Sequence, residues 1–173
     1  MEIREPSSAK ELHAALSLTD DAWREAFSPI VDEEAFEAVE PPADPDDLDD
    51  RYLGILGMDD GVSLVAADHG TIVGWSSLIW DRNLTREYVD EDEAEIRTLY
   101  VHPDRWGEGV GTWLLEAGLD RVPEPTTAVV LETFEANEMG RSFYESRGFT
   151  KRGSTAFEIA EDSYPSVIYE RGL

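Results

Sequence analysis

Apolar and polar residues follow two rhythms along this chain, and the switches between them divide it into elements. Leu12, Leu16, Trp23 and Phe27 recur at helical spacing, so residues 8–27 are expected to form a helix that Ser7 or Ser8 caps. Ahead of it, Ile3 and Arg4 read as a short strand that Pro6 ends. Residues 41–50 are a Pro- and Asp-rich break, and Leu48, Tyr52 and Leu53 mark a second short helix after it. Apolar runs at 62–67 and 72–80 flank Asp68-His69-Gly70, which is a hairpin signal. The acidic loop Asp90-Glu91-Asp92-Glu93 precedes a strand at 94–101. Residues 112–122 carry Trp113, Leu114, Leu115, Leu119 and Val122 on one helical face, and Pro123 and Pro125 end that helix. A buried strand at 128–133, a helix at 137–147 stopped by Gly148, and strands at 149–159 and 167–171 complete the chain. With no internal repeat and no long linker, this order predicts one α+β (mixed α/β) domain over residues 1–173, with helices on a mixed sheet.

Length and composition narrow the function classes. A chain of 173 residues supports one substantial core. No apolar run approaches the roughly 18 residues of a membrane span, and residues 1–6 carry no basic-then-apolar leader, so a cytoplasmic protein with no membrane partner is expected. The absence of cysteine excludes disulfides, thiolate zinc sites and a cysteine nucleophile. His13, His69 and His102 are scattered, so no metal site is expected. The formal charge of −25 disfavours direct binding to a nucleic-acid backbone. It fits either a basic partner or a halophilic cytoplasm; at ~1 M salt the Debye length is about 3 Å and self-repulsion is screened. Acidic residues are spread along the whole chain and twelve of the fourteen basic residues are arginine; the even spread favours the halophilic reading.

The stretch with most chemical content is 95–112, Glu-Ile-Arg-Thr-Leu-Tyr-Val-His-Pro-Asp-Arg-Trp-Gly-Glu-Gly-Val-Gly-Thr. A strand runs through a glycine-rich loop into a helix, and the free N–H groups at such a helix start form a site for a phosphate. The spacing is neither a dinucleotide fingerprint nor a P-loop, since no Gly-Lys-Ser/Thr follows. A Glu inside an apolar strand, as at Glu95, is uncommon because burying a carboxylate is unfavourable without compensation.

Two motifs together resemble the GNAT superfamily of acyl-CoA-dependent N-acetyltransferases. The family's Arg/Gln-x-x-Gly-x-Gly/Ala loop is matched by Gly109 and Gly111, with Trp106 where Arg or Gln is usual and Arg105 beside it. Asn137-Glu-Met-Gly-Arg-Ser-Phe-Tyr-Glu-Ser-Arg-Gly-Phe149 resembles the family's Asn-x-x-Ala-x-x-Phe-Tyr-Glu-x-x-Gly-Phe. The likeness covers roughly residues 60–150; the N-terminal third matches in element order only. It implies a mostly antiparallel sheet, splayed between strands 4 and 5, with helices on both faces.

The resemblance also implies roles. Leu99, Tyr100 and Val101 would pair with the pantetheine arm of acetyl-CoA, although Leu99 and Val101 also suit plain core packing. The amides of Trp106, Gly107, Glu108, Gly109, Val110, Gly111 and Thr112 would hold the pyrophosphate, and Asn137 would contact the cofactor, cap a helix, or both. Tyr144 matches the family's general acid, whose competing role is packing beneath the cofactor. Glu95 is the first candidate for the base and Glu132 the second. The implied reaction is direct attack of a primary amine on the thioester in a ternary complex; the alternative is a non-catalytic acyl-CoA-binding or regulatory module. A third reading is an unrelated domain for another phosphorylated ligand. The acceptor would be read by residues 8–58 and 153–167, where carboxylates and aromatics suit a small-molecule amine or a peptide amine. A peptide N-terminus, a lysine side chain, a polyamine and an aminoglycoside stay open, and the family's habit of dimerising implies a homodimer as one assembly.

Overall fold

The structure, a computed structural model, describes residues 1–39, 42–48, 53–54 and 56–173. Its frame is a seven-stranded sheet in the order β1-β2-β3-β4-β5-β7-β6. The strands are β1 (Glu2–Arg4), β2 (Gly61–Asp68), β3 (Thr71–Ile79), β4 (Glu93–Val101), β5 (Ala128–Phe134), β6 (Thr150–Ile159) and β7 (Asp162–Gly172). Every neighbouring pair is antiparallel except β4 with β5. The helices are α1 (Ala9–Phe27), α2 (Glu33–Val39), α3 (Val110–Leu119) and α4 (Glu138–Glu145).

Period-two alternation along β2, and along β3 on either side of a bulge at Val73, sends residues to opposite faces, and each face receives a helix. Leu64, Ala66 and Val73 meet Val110, Leu114 and Leu115 of α3, in a cluster that also takes in Tyr144 of α4. Val65 and Trp75 point the other way, against Ala15 and Leu18 of α1. There the Trp75 indole donates to the Thr19 hydroxyl at 2.7 Å, which satisfies a polar atom in an otherwise apolar contact. A third cluster, around Phe27, Val31, Phe36 and Phe134, seats α2 beside the end of β5.

Helix α1 starts where its cap predicts. The Ser8 side chain accepts from the Glu11 amide, and the Glu11 carboxylate reaches back to the Ser7 amide. Arg4 grips the same carboxylate, and those bonds hold its pKa at about 2. The expected hairpin forms, with His69 and Gly70 both at positive φ in its turn.

Three elements depart most from the sequence pattern. Helix α3 begins at Val110 rather than 112, and residues 120–122 close in tighter turns, with Arg121 donating to Gly118 and Val122 to Leu119. Strand β7 begins at Asp162, because it pairs with β6 from the turn onward and needs no apolar face there. Helix α2 carries no long apolar period; Ala35 and Phe36 are buried by contact with α1 and β5 instead. The short helix expected around Leu48, Tyr52 and Leu53 lies partly outside the described residues.

Leu114 is fully buried where α3 meets the sheet, whereas Leu84 is half exposed. Leu114→Ala is expected to lower unfolding free energy by about 2–5 kcal/mol in urea titration, and Leu84→Ala by less than about 0.5 kcal/mol. Equal effects would contradict this assignment of the core.

Candidate active site

Strands β4 and β5 pair over only three positions, Glu93 with Ala128, Ala94 with Val129 and Glu95 with Val130. Past that point β4 carries a bulge. Leu78 of β3 faces Ile96 and Ser77 faces Thr98, so Arg97 is an extra residue. The extra residue inverts the facing of the strand: Ala94 and Ile96 point to the α3 side before it, and Leu99 and Val101 after it. Glu95 and Tyr100 therefore share the opposite face. A cleft of about 360 Å³ opens where the strands part, lined by residues 96–101, 105–107 and 109–112, the β5 residues Leu131 to Thr133, and the inner side of α4.

One end of this cleft is a helix start without a cap. Gly109 occupies the N-cap position of α3 at φ +88°, with no side-chain bond to the helix. The N–H groups of Val110, Gly111 and Thr112 lack intrahelical partners by helix geometry, and they lie on the cleft with the positive end of the helix dipole. At Gly111 an added Cβ would lie 3.2 Å from the Phe143 ring, so glycine permits α4 to close on this helix start. The Trp106 indole N–H donates to the Val101 carbonyl at 2.7 Å and ties the loop to the end of β4. Arg105 pairs with Asp68 at 3.0 Å and Glu108 at 2.6 Å, which steadies the loop.

Arg147 is a residue the sequence reading did not single out. Its guanidinium lies 3.7 Å from the centre of the Phe143 ring and donates to the Thr112 hydroxyl, beside the open helix start. Its Nε is buried and has no acceptor among the described residues. A signal was present: an arginine directly before Gly148 of the second motif, in a chain with few cations.

The other expected residues line the same cleft. The Asn137 side chain accepts from the Gly140 amide at 2.9 Å, as a helix cap, and donates to the Thr133 hydroxyl at 3.0 Å. Leu99 and Val101 pack against the main core, so the packing role foreseen for them is realised. Tyr144 is buried edge-on against Phe143 and Phe149. Burial, with Tyr100 nearby, pushes its hydroxyl pKa well up, so it carries a proton at neutral pH. Of the residues 106–112, all but Glu108 line the cleft; Glu108 is held at Arg105.

A second cleft of about 410 Å³ opens on the other side of the parting. Both catalytic glutamate candidates lie on it. It shares Ile96, Arg97, Tyr100 and Glu132 with the first, so the two meet at the bulge. Glu95 is 1% exposed, and its carboxylate accepts two bonds of 2.8 Å from Arg97 and one of 3.1 Å from the Arg86 amide. Glu132 has fewer partners: one oxygen accepts a short bond from the Ser166 hydroxyl, and Arg86 lies 3.5 Å from the other. Burial is the largest influence on Glu132 and raises its pKa; the Ser166 bond and Arg86 oppose this in part.

The described residues contain no helix long and apolar enough to cross a membrane. The family model for the acetyltransferase (GNAT) family matches residues 18–149. Over 105 residues the chain is 28% identical to an uncharacterized N-acetyltransferase of the pepI 3′ region from Lactobacillus delbrueckii subsp. lactis, a match spanning 60% of this chain and 60% of that relative's length. Among solved structures, the PaiA N-acetyltransferase of Thermoplasma acidophilum in complex with coenzyme A superposes with a TM-score of 0.72 at 21% identity, covering 99% of this chain and 98% of that one. The ribosomal-protein-alanine N-acetyltransferase of Brucella melitensis gives a TM-score of 0.74 at 20% identity, covering all of both chains. At these identities the structural likeness bears on the fold.

Arg97 is the principal counter-charge of a fully buried carboxylate, and removing one partner of such a pair typically destabilises by about 3–5 kcal/mol. Arg97→Met is expected to show a loss of that order in chemical denaturation, and Arg97→Met with Glu95→Gln to recover most of it. Additive losses in the double variant would contradict the pairing.

Proposed function

The chain belongs to the acetyltransferase (GNAT) family, and on that premise we propose that it transfers an acetyl group from acetyl-CoA to a primary amine, by direct attack within a ternary complex. The observation that carries this reading is the uncapped start of α3 opening onto the cleft where β4 and β5 part. Residues 106–112 would hold the pyrophosphate on fixed dipoles, with no lysine involved, and Arg147 would add a cation beside them. The edge of β4 released from β5, at Leu99, Tyr100 and Val101, supports pairing with an extended pantetheine arm as β5 would otherwise pair. Asn137, already a cap, borders the same groove. Acetyl-CoA supplies the activated acyl group as co-substrate, and the proposed chemistry uses no metal.

The amine would enter from the second cleft and meet the thioester where the two clefts join. An ammonium has no lone pair, so a base must first take a proton. Glu132 fits this task better than Glu95. Its pKa is raised and only one of its oxygens has a close donor, the Ser166 hydroxyl, whereas both oxygens of Glu95 are committed to Arg97 and the Arg86 amide. In this reading Glu95 anchors the two arginines as a positioning residue. A backbone N–H of β4 would steady the charge that builds on the carbonyl oxygen. As the C–N bond forms and the C–S bond breaks, Tyr144 would give its proton to the departing sulfur; the second proton that the acylated nitrogen loses would return to Tyr144, whose burial disfavours the charged form. The acceptor is a small-molecule or peptide amine.

Two experiments test this. Gly109→Val forces a β-branched residue to φ +88° beside the open N–H groups, and is expected to weaken coenzyme A binding at least about tenfold by titration calorimetry. Unchanged affinity would sink the cradle. For the chemistry, Glu132→Gln and Tyr144→Phe are each expected to lower kcat by about 10²–10⁴ in a thiol-release assay, with coenzyme affinity retained. A larger loss from Glu95→Gln than from Glu132→Gln would return the base to Glu95.

A further inference from the structure

The second cleft sets two arginines beside its two buried glutamates, which the capture of a bare amine does not require. Two of the chain's twelve arginines meet there, in a protein whose acidic residues outnumber basic ones 39 to 14. Arg97 by itself balances Glu95, through its two bonds of 2.8 Å. Arg86 comes from the loop between β3 and β4, and its charge is only partly used. Its Nε lies 3.4 Å from Glu95 and its Nη1 3.5 Å from Glu132, both long for charged partners. Its Nη2 meets no acceptor among the described residues. The guanidinium lies 5.5 Å from the centre of the Phe157 ring and is 45% exposed, so it is held from one side and open on the other. The remaining charged group on this cleft, Glu158, sits at the rim and accepts from the Ser163 hydroxyl.

These contacts bear on which amine fits. A polycation such as a polyamine would be met by several uncovered carboxylates; here Glu95 is covered by Arg97 and Arg86 lies 3.5 Å from Glu132, which leaves Glu158 at the rim. Once Glu132 takes the amine's proton, the anion left beside Arg86 is Glu95, which Arg97 already covers. Such a cation with open, fork-shaped donors is suited to a carboxylate.

We propose that Arg86 binds the carboxylate of an amino-acid-like acceptor while the acceptor's amine points to the cleft junction at Glu132, so that the enzyme acts on a small zwitterion. Trp23 and Phe157, on the same cleft, give an apolar or aromatic wall for its side chain. The proposal rests on the acetyl-transfer reading above and narrows its acceptor.

The test measures binding apart from turnover. Titration calorimetry on the coenzyme A-saturated protein compares amino acids with their decarboxylated counterparts, such as leucine with isoamylamine and phenylalanine with phenethylamine, and includes spermidine as a polycation. Within the pairs that bind, the carboxylate-bearing member is expected to bind about tenfold or more tightly. Arg86→Gln is expected to bring that ratio close to one, and Arg86→Lys to restore part of it, with coenzyme A affinity retained in both. A ratio near one in the native protein, a preference for bare amines or spermidine, or no binding by any member overturns the proposal. So does an equal loss for both members in Arg86→Gln. Thiol release from acetyl-CoA with the same compounds separates the two readings: zwitterion binding without turnover would sink acetyl transfer and leave this acceptor site standing.

Discussion

The molecule's functional geometry depends on one interruption of backbone pairing. A parallel pair normally continues for as long as both strands do, because unpaired buried N–H and C=O groups are costly. Here β4 and β5 pair only from Glu93 to Glu95, and the bulge at Arg97 turns the remainder of β4 aside. That single extra residue has two consequences. It frees a strand edge along a groove, and it switches which side chains face which cleft, so that Glu95 and Tyr100 look into one space while Leu99 and Val101 stay in the core. The helix start at Gly109 then lies at one end of the groove, and the glutamates lie at its junction with the second cleft.

Electrostatics follow from local structure more than from net charge. A chain of formal charge −25 repels anions at long range. At the cradle, however, the groups that would meet a phosphate are backbone dipoles and Arg147, all close and oriented. The arginines of the second cleft are likewise set among specific partners: Arg97 on Glu95, and Arg86 between Glu95, Glu132 and Phe157. In proteins this acidic, the location of the few cations is more informative than their number.

Much of this was legible in the sequence wherever the cause is local. The Ser8 cap, the His69-Gly70 turn and the strand–loop–helix passage through Gly109 each announce themselves within a few residues. The two motifs also singled out Tyr144 and Asn137. What stayed hidden depends on contacts between distant segments. Helix α2 owes its burial to α1 and β5, through Ala35 and Phe36 among the described residues. Nothing in Glu-Ile-Arg-Thr-Leu marks Arg97 as a bulge, since the extra residue is defined by its partners on β3. The relation of Arg86 to Glu132 spans 46 positions, and the different restraint on Glu95 and Glu132 appears only when their neighbours assemble.

The central claim is that the cofactor lies along the freed edge of β4 with its phosphates on the start of α3. Amide hydrogen exchange with and without coenzyme A tests it most directly. The account predicts slowed exchange at residues 97–101 and 107–112, with β6 unchanged. Protection confined to other segments, or none at saturating coenzyme A, would contradict it.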